Sequence, residues 1–540
     1  MRVSPIRFLL WTVVLVVTTA VGAVGQSAAR LPKKLPSAEK IVENYFKAIG
    51  GKKAAAAQKD AIYEWSLELN NQPIGTARTV RKVPAAERLE LTFNHEPTAA
   101  NGITFNNGQI IAAANTRSAW EIGLDKQLHT LTSLEAATAK LQATLAASRL
   151  VDFKKSHVLA RVVSLGDLGS EPAYIVEFST RSGARVQYYF STKTKLITKI
   201  TSDGRKTRIL FEDYRPQNGV LEPHRVRINL PAIAEIDNGG ELTLLLQSVK
   251  YNTGVAEQVF DPPRSMENLD VTALLREVAR NQDDTENRVA EYSFKQTETD
   301  REINSKGELK KQTVKVYEVY PLPNRAPVEK LISENGVPLS PERAAKEEKR
   351  VQEEFLKAER EKEKDAQQAA RQRAAREKKH SKEEVVERNP AISLFLRACD
   401  FISPRREVFA GRESIVFDFR PRAGFKPKTR EESLIAKLAG VVWIDPVDKQ
   451  VMRLEARLAE GFKMAGGLLV SLKPGAGLVM EQTRMVQGVW LPRFAQINLS
   501  VKVLLFAGGD YNKTIEWSDY KHFSGDVKDY KIEAPATAKP

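Results

Sequence analysis

An internal repeat constrains the fold of this chain more than any other feature of its sequence. When the sequence is shifted by 269 positions, residues 212–230 align with residues 481–499, and eight of the nineteen aligned positions are identical. The matches include a Gly-Val-x-x-Pro motif, which begins at Gly219 in the first copy and at Gly488 in the second. A long-range repeat of this kind predicts two similar structural units in tandem.

The repeated segment has the pattern of two strands joined by a turn. In the first copy, Val226 and Ile228 alternate with arginines, which is the period of a strand with one apolar face. Glycine tolerates the positive φ of a tight turn, and a proline at the start of the next strand limits pairing there. Similar alternation begins at Ala61 and resumes over 157–251, which predicts an antiparallel sheet with one apolar face and one wet, basic face.

Short helices are predicted beside the first sheet. Ser37 can cap a helix whose apolar residues recur three or four apart until Gly50 and Gly51 end it. A second helix is predicted over 133–150. The second unit opens near Asp270 in the same order, with a helix followed by strands.

Residues 341–388 form a charged segment inside the second unit. The segment is rich in Glu, Lys, Arg, Ala and Gln and has no glycine, which predicts a helix of about 70 Å. Its apolar residues, among them Val351 and Phe355, are too sparse for a coiled-coil seam. The composition favours a solvated helix stabilised by ion pairs four residues apart, and it leaves open self-association or the docking of a partner helix.

The first 25 residues have the layout of a secretory signal peptide. Arg2 and Arg7 precede an apolar run that ends in small residues near Gly25. A single membrane anchor is the alternative interpretation. We therefore expect the mature protein outside the cytoplasm, in the periplasm. The predicted organisation is a signal peptide at 1–25, a first sheet domain at 37–265, a second at 270–340 and 389–525, an inserted helix at 341–388 and a disordered tail at 526–540.

Few residues are available for catalysis or for metal binding. The single cysteine, Cys399, excludes an internal disulfide framework and a cysteine-based metal cluster. The zinc-protease, serine-hydrolase, phosphate-loop and dinucleotide motifs are absent. Ser37 and Lys40 have the spacing of a serine–lysine pair, but helix capping explains that spacing. We predict a protein that is not an enzyme and has no cofactor and no metal site.

The positive charge of the chain is spread thinly. A formal net charge of +15 without a concentrated basic stripe argues against nucleic-acid binding. The densest basic stretch, 181–208, carries eight basic residues and one acid. This pattern is typical of a solvated sheet face, and contact with an anionic membrane surface remains an alternative.

The order of the motifs resembles that of LolA-like proteins, the periplasmic carriers that sort outer-membrane lipoproteins, and their relatives. In the first unit the resemblance rests on Ile-Gly-Gly at 49–51, on Tyr-Phe-Ser-x-x-Thr-Lys-Leu-Ile at 189–197, and on the Phe-Glu-Asp-Tyr and Gly-Val-Leu-Glu-Pro that follow. The second unit, with Val-Trp-Ile-Asp-Pro at 442–446 and Gly-Val-Trp-Leu-Pro at 488–492, is similar to uncharacterised secreted bacterial proteins of the same superfamily.

The resemblance implies an α+β fold of two tandem half-open antiparallel β-barrels with covering helices, the long charged helix being inserted in the second. It implies a hydrophobic cavity for acyl chains. We therefore predict binding of a lipid or of an acylated lipoprotein; the alternative is an envelope scaffold with filled cores that engages a protein partner through the 341–388 helix. The candidate ligand-binding residues are Val186, Tyr188, Phe190, Phe211, Val226, Ile228 and Leu230 in the first unit and Trp517 in the second.

Overall fold

The computed structural model describes most of the chain after its first 34 residues. The described residues are 35–94, 108–123, 125–167, 171–202, 207–229, 241–266, 268–289, 291–304, 309–322, 327–376, 395, 397–459, 461–464, 470–472, 475–485, 488–503 and 506–522. From Pro36 onward they belong to one compact unit. The predicted signal peptide, the predicted tail, residues 377–388 of the charged segment and the candidate residue Leu230 lie outside the described residues.

Thirteen antiparallel strands form the first sheet. They are β1 (Asp60–Leu69), β2 (Gln72–Lys82), β3 (Ala86–Phe93), β4 (Gln109–Ala114), β5 (Ala119–Ile122), β6 (Leu128–Thr130), β7 (Leu159–Asp167), β8 (Pro172–Ser179), β9 (Arg185–Ser191), β10 (Ile197–Ser202), β11 (Thr207–Gln217), β12 (Val220–Asn229) and β13 (Leu242–Tyr251). Their order is β6-β5-β4-β3-β2-β1-β13-β12-β11-β10-β9-β8-β7. Because β6 and β7 do not pair with each other, the described sheet is open.

Three α-helices accompany this sheet among the described residues. They are α1 (Ala38–Ala48), α2 (Lys52–Ala57) and α3 (Ser133–Ala147). The predicted cap of α1 is confirmed, because the Ser37 hydroxyl accepts a hydrogen bond from the Lys40 backbone N–H at 3.3 Å. The apolar side chains of α1 that recur three or four apart are buried against the sheet.

Thirteen further strands form the second sheet. They are β14 (Tyr292–Ile303), β15 (Leu309–Tyr320), β16 (Val328–Glu334), β17 (Val337–Pro338), β18 (Cys399–Phe409), β19 (Arg412–Pro421), β20 (Leu438–Ile444), β21 (Val451–Leu458), β22 (Phe462–Met464), β23 (Val470–Leu472), β24 (Gly477–Arg484), β25 (Trp490–Val503) and β26 (Phe506–His522). The main path runs β17-β16-β15-β14-β26-β25-β24-β21-β20-β19-β18, and β23 also pairs with β25. The described helices here are α4 (Val271–Val289), α5 (Pro341–Arg376) and α6 (Arg430–Ile435).

The second sheet repeats the strand order of the first. In each sheet the opening strand pairs with the closing strand, β1 with β13 and β14 with β26, and the remaining strands follow in the same order on either side. The repeated sequence occupies equivalent places in this order. The opposed pair Glu212 and Arg225 of β11–β12 corresponds, at the same offset of 269, to the opposed pair Glu481 and Phe494 of β24–β25.

The first half of α5 packs against the second sheet, and the prediction of a wholly solvated charged helix is wrong for this half. Val351 and Phe355 are buried in a cluster with Leu322 and Val328. The Glu347 carboxylate also accepts a hydrogen bond from the backbone of β16 at 2.8 Å. Two apolar residues four apart lie on one side of a helix, which is enough to dock it beside β16.

The C-terminal end of α1 requires a glycine at position 50. Gly50 has φ 109°, and a β-carbon there would overlap the carbonyl oxygen of Gly219, in the turn between β11 and β12. We expect Gly50→Ala to lower the free energy of unfolding by about 2–4 kcal/mol, measured by denaturant titration. Gly51→Ala is the matched control, because Gly51 has φ 103° but open space around its α-carbon. Equal losses for the two variants would show that the close approach to Gly219 contributes nothing.

Candidate functional site

The inner face of the first sheet, the side that α1 and α3 cover, is a continuous apolar surface. Directly opposed residues of neighbouring strands share one side of a sheet, so rows of them can be followed across it. One row consists of Tyr188, Ile200, Ile209, Ile228, Leu242 and Leu69. A second consists of Phe211, Val226, Leu244, Leu67, Gly75 and Phe93.

The described candidate residues of the first unit lie on this inner face, in two adjoining clusters. Val186, Tyr188 and Phe190 pack with residues of α1 and α3, and the Tyr45 ring meets the Phe190 ring edge-on at 5.7 Å. Val226 and Ile228 belong to a cluster of strand residues, and Phe211 packs against both clusters. The five fully buried candidates, Val186, Tyr188, Phe190, Val226 and Ile228, are each at most 7% exposed. The chain's own side chains therefore cover them.

Trp517, the candidate of the second unit, lies apart from these residues. It stands opposite Gln296 between β26 and β14, and its indole N–H donates to the Gln296 side-chain oxygen at 2.8 Å. The ring is partly exposed.

The inner face of the second sheet is only half apolar, which corrects the prediction of two apolar concave faces. Under α4, Phe417 and Val442 pack with the helix. The same row then continues through Leu454, Met480, Ala495, Ile515, Glu298 and Lys315. Every second residue of this part of β14 is polar or acidic, so the face becomes charged there, and Glu298 forms an ion pair with Lys513 at 2.7 Å.

Helix α3 contacts the first sheet mainly through small side chains. Three alanines, Ala136, Ala139 and Ala143, pack on β4 and β5, and Leu141 and Leu145 reach the cluster beneath α1. An alanine buries little apolar area, so each of these contacts stabilises the helix position only weakly. The firmer attachments of α3 are polar and lie at its two ends.

A buried ion pair holds the C-terminal end of α3 to the inner face. Arg149, just after the helix, contacts the Glu222 carboxylate at 2.7 Å. The hydroxyls of Tyr251 and Tyr63 donate to the same carboxylate oxygen at 2.5 and 3.2 Å. Burial and the negative charge of Glu222 raise the pKa of both tyrosines. The sequence reasoning missed this group, although an acid at an inward position of β12 was its signal.

The second sheet holds the N-terminal end of α3. The Ser133 backbone N–H donates to the Glu455 carboxylate at 3.1 Å, and the Arg453 guanidinium donates to the Ser133 hydroxyl at 2.8 Å. Both partners belong to β21. The position of α3 over the first sheet is therefore linked to the second sheet.

These contacts are part of a polar seam between the sheets, formed by Ser118 and Thr130 of the first unit and Arg405, Glu407 and Asp418 of the second. Arg405 is fully buried and contacts Glu407 at 2.7 Å and Asp418 at 3.1 Å. The Thr130 backbone N–H donates to Glu407 at 2.7 Å, and the Ser118 hydroxyl donates to Asp418 at 2.6 Å. Because these buried charged groups are closely paired, they fix the arrangement of the two sheets at this contact.

Lys140 of α3 also lies beside this seam. Its ammonium donates to the backbone carbonyl of Arg117 at 2.7 Å. Burial, reinforced by the positive charge of Arg457, lowers the pKa of Lys140 to about 8.

Within the described residues, no group of three or more His, Cys, Asp or Glu side chains could hold a metal ion. No helix in the described part of the chain is both long and apolar enough to cross a membrane. The inner face of the first sheet is chemically a large apolar surface with the Arg149–Glu222 ion pair at its margin.

Comparison with known proteins gives matches among solved structures. No protein-family model matches the chain. No curated protein matches it either. A LolA superfamily protein from Nitrosomonas europaea is 12% identical, with a TM-score of 0.27, and the match covers 42% of this chain and 99% of that one. Solved LolA-superfamily structures are thus among its matches, as the sequence resemblance predicted.

Two other solved structures also match this chain. A putative outer membrane lipoprotein-sorting protein domain from Vibrio parahaemolyticus is 11% identical, with a TM-score of 0.26, and the match covers 41% of this chain and 95% of that one. The complex of MucA and MucB from Pseudomonas aeruginosa contains a chain that is 9% identical, with a TM-score of 0.16. That match covers 88% of this chain and 93% of the other.

Proposed function

We propose that this chain is a non-catalytic protein of the bacterial envelope that binds an apolar chain, from a lipid or an acylated lipoprotein, on the inner face of its first sheet. The observation that carries the proposal is the unbroken apolar surface that continues from β9 to β3 beneath α3. The ligand-contacting residues in this proposal are Val186, Tyr188, Phe190, Phe211, Val226, Ile228 and Leu230.

In this mechanism α3 is a lid. Its alanines contribute little area, and its ends are held by Glu222 and by β21. When the lid shifts, an acyl chain can replace its contacts and gain about 0.8 kcal/mol for each CH2 group removed from water. The second sheet then restrains the lid through Ser133. The half-charged inner face of the second sheet contributes only Trp517, as a secondary contact to the ligand.

The organisation that goes with this proposal is a tandem duplication. The first sheet domain spans 37–265 and the second spans 270–340 and 389–525, with the charged helix inserted and a tail at 526–540. The common strand order and the common register offset of 269 support it. Residues 1–25 direct the chain to the periplasm, where it can meet an anionic membrane surface.

A second candidate function is that of an envelope scaffold with filled cores. It is favoured by the burial of the candidate residues under the chain's own helices. In that case the helix Pro341–Arg376, which packs on β16 through its first half, engages a protein partner through the remainder of the charged segment. Native mass spectrometry separates the two: lipid that co-purifies favours the carrier, and a lipid-free chain that captures a partner only with the helix present favours the scaffold.

A photoactivatable fatty acid tests the carrier function directly. On the purified chain we expect saturable labelling of peptides from β9 to β13, mapped by mass spectrometry. Ile228→Glu should reduce the labelling about tenfold or more, because it places a charge on the apolar face. Ile497→Glu, at the equivalent place in the second sheet, is the control and should leave labelling unchanged. Labelling that does not saturate, or that maps to the second sheet, would contradict the proposal even if Ile228→Glu fails to fold.

A further inference from the structure

A cavity of about 340 Å³ opens on the second sheet, on the side opposite α4. It lies where the β18–β19 turn, the start of β21, the end of β24 and the start of β25 meet, away from the proposed apolar face of the first sheet. Its lining includes Phe409, Arg412, Met452, Gln482, Arg484 and Trp490. The Glu481 carboxylate also lines the cavity, and its charge is paired with that of Arg493 at 2.9 Å. This volume falls within the range of small-molecule sites in proteins.

A β-bulge shapes the floor of this cavity. The register of β24 against β25 shifts between Glu481 and Gln482, because β25 has an extra residue there, Arg493, and all three residues line the cavity. The corresponding part of the first sheet pairs regularly, with Glu212 opposite Arg225 and Tyr214 opposite Pro223. Bulges re-aim side chains and are common beside binding sites.

The bulge leaves a buried acceptor without a partner. Gln482 is 6% exposed, and its Oε1 has no hydrogen-bond partner among the described residues. An unsatisfied buried acceptor is costly, and native proteins rarely keep one without a reason. A ligand that carries an N–H group would satisfy it once the Gln482 side chain turns toward the cavity, because the oxygen itself has almost no exposed surface.

Two of the three arginines that line the cavity are held in place by aspartates behind them. Arg412 contacts Asp445 at 2.6 Å, and Arg484 contacts Asp448 at 2.7 Å. The Trp490 indole N–H donates to the same Asp448 oxygen at 2.9 Å, and the Arg412 guanidinium lies 5.7 Å from the Trp490 ring centroid. The side chains of Arg412 and Arg484 are still more than a third exposed, so donors remain for a carboxylate.

The cavity offers arginine donors, one amide acceptor and apolar walls formed by Phe409, Met452 and Trp490. Together these groups define the chemistry of the ligand. We propose that this cavity binds the carboxylate end of an N-acylated apolar amino acid. The carboxylate contacts Arg412 and Arg484, the adjacent amide N–H donates to Gln482, and the apolar side chain packs on Trp490. A free N-acyl amino acid and the C-terminal residue of a peptide both have this chemistry.

Isothermal titration calorimetry of the full chain with N-acetyl-L-leucine tests this proposal. We expect saturable binding that weakens at least tenfold when the carboxylate is replaced by a primary amide. Gln482→Leu should weaken it by a similar factor without lowering the melting temperature, because leucine keeps the volume and removes an unsatisfied acceptor. Arg406→Met is the matched control, since this arginine is two-thirds exposed on β18 and outside the cavity.

The two sources of the ligand are separated by a peptide that ends in leucine. Affinity at least tenfold higher for the peptide than for N-acetyl-L-leucine identifies a chain terminus, and equal affinities identify the free amino-acid derivative. The proposal is overturned by absent binding at millimolar ligand, by equal affinity for acid and amide, or by a folded Gln482→Leu variant that binds like the wild type. None of these results depends on fatty-acid uptake by the first sheet.

Discussion

Replacing Glu222 by alanine is expected to lower the free energy of unfolding by about 3–5 kcal/mol, because it leaves the Arg149 guanidinium buried without its counter-charge. The same change removes the acceptor shared by Tyr63 and Tyr251. Arg149, Tyr63 and Tyr251 therefore all lose a contact at once. Denaturant unfolding, followed by circular dichroism, measures the effect.

Two further variants isolate the ion pair as the cause. Glu212→Ala removes a carboxylate from the neighbouring strand that pairs with Arg227 at 2.6 Å, but this pair is more than a third exposed, so we expect a loss of about 1 kcal/mol or less. The double variant Arg149→Met/Glu222→Leu removes both charges and should recover much of the stability that Glu222→Ala loses. A double variant no more stable than Glu222→Ala would mean that the pair is not what holds α3.

The Glu222→Ala variant also bears on the lid. With the C-terminal end of α3 released, the inner face should open more readily, and a fluorescent fatty acid should enter faster than in the wild type. Faster entry in this variant, with unchanged entry in Glu212→Ala, is the result that the proposed mechanism requires.

Replacing Arg405 by methionine is expected to loosen the contact between the two sheets. The variant leaves Glu407 and Asp418 buried without their main counter-charge, so we expect a loss of about 3–5 kcal/mol. The stability is lost at the polar seam, where the two sheets contact each other. The sheets should therefore unfold separately, in two transitions instead of one. Limited proteolysis should then cut the connection at 262–270 faster than in the wild type.

Arg406→Met is the control for this prediction. Arg406 is the next residue along β18, but its side chain is two-thirds exposed and lies 3.8 Å from Glu413, so its removal should change the stability by about 1 kcal/mol or less. If Arg405→Met still unfolds in a single transition and resists proteolysis like the wild type, the seam is not what joins the sheets.

Much of the local structure could be predicted from the sequence because it depends on neighbours along the chain. The cap of α1 at Ser37 and the turn at Gly219 need only local geometry, and both are present. The alternation of Val226 and Ile228 placed them correctly on one face of a strand. On β14 the same alternation turns polar side chains, Gln296 and Glu298, inward.

The polar seam could not be predicted in the same way. In the sequence, Arg405 and Glu407 alternate along a strand like any charged pair that faces water, and Asp418 is indistinguishable from them. These side chains are buried because β5, β6 and α3 of the first unit pack on that side of the second sheet. When a side chain is buried by a distant part of the chain, the sequence of its own strand shows no hydrophobic pattern that would predict the burial.

The sequence by itself determined that the chain forms antiparallel sheets accompanied by helices, because hydrophobic period and turn glycines act through local geometry and side-chain alternation. Only the tertiary structure decided which face is continuous, which charges are buried and where α3 is held. Those properties depend on residues up to about three hundred positions apart, such as Ser118 and Asp418, whose contact exists only once both sheets have folded and met.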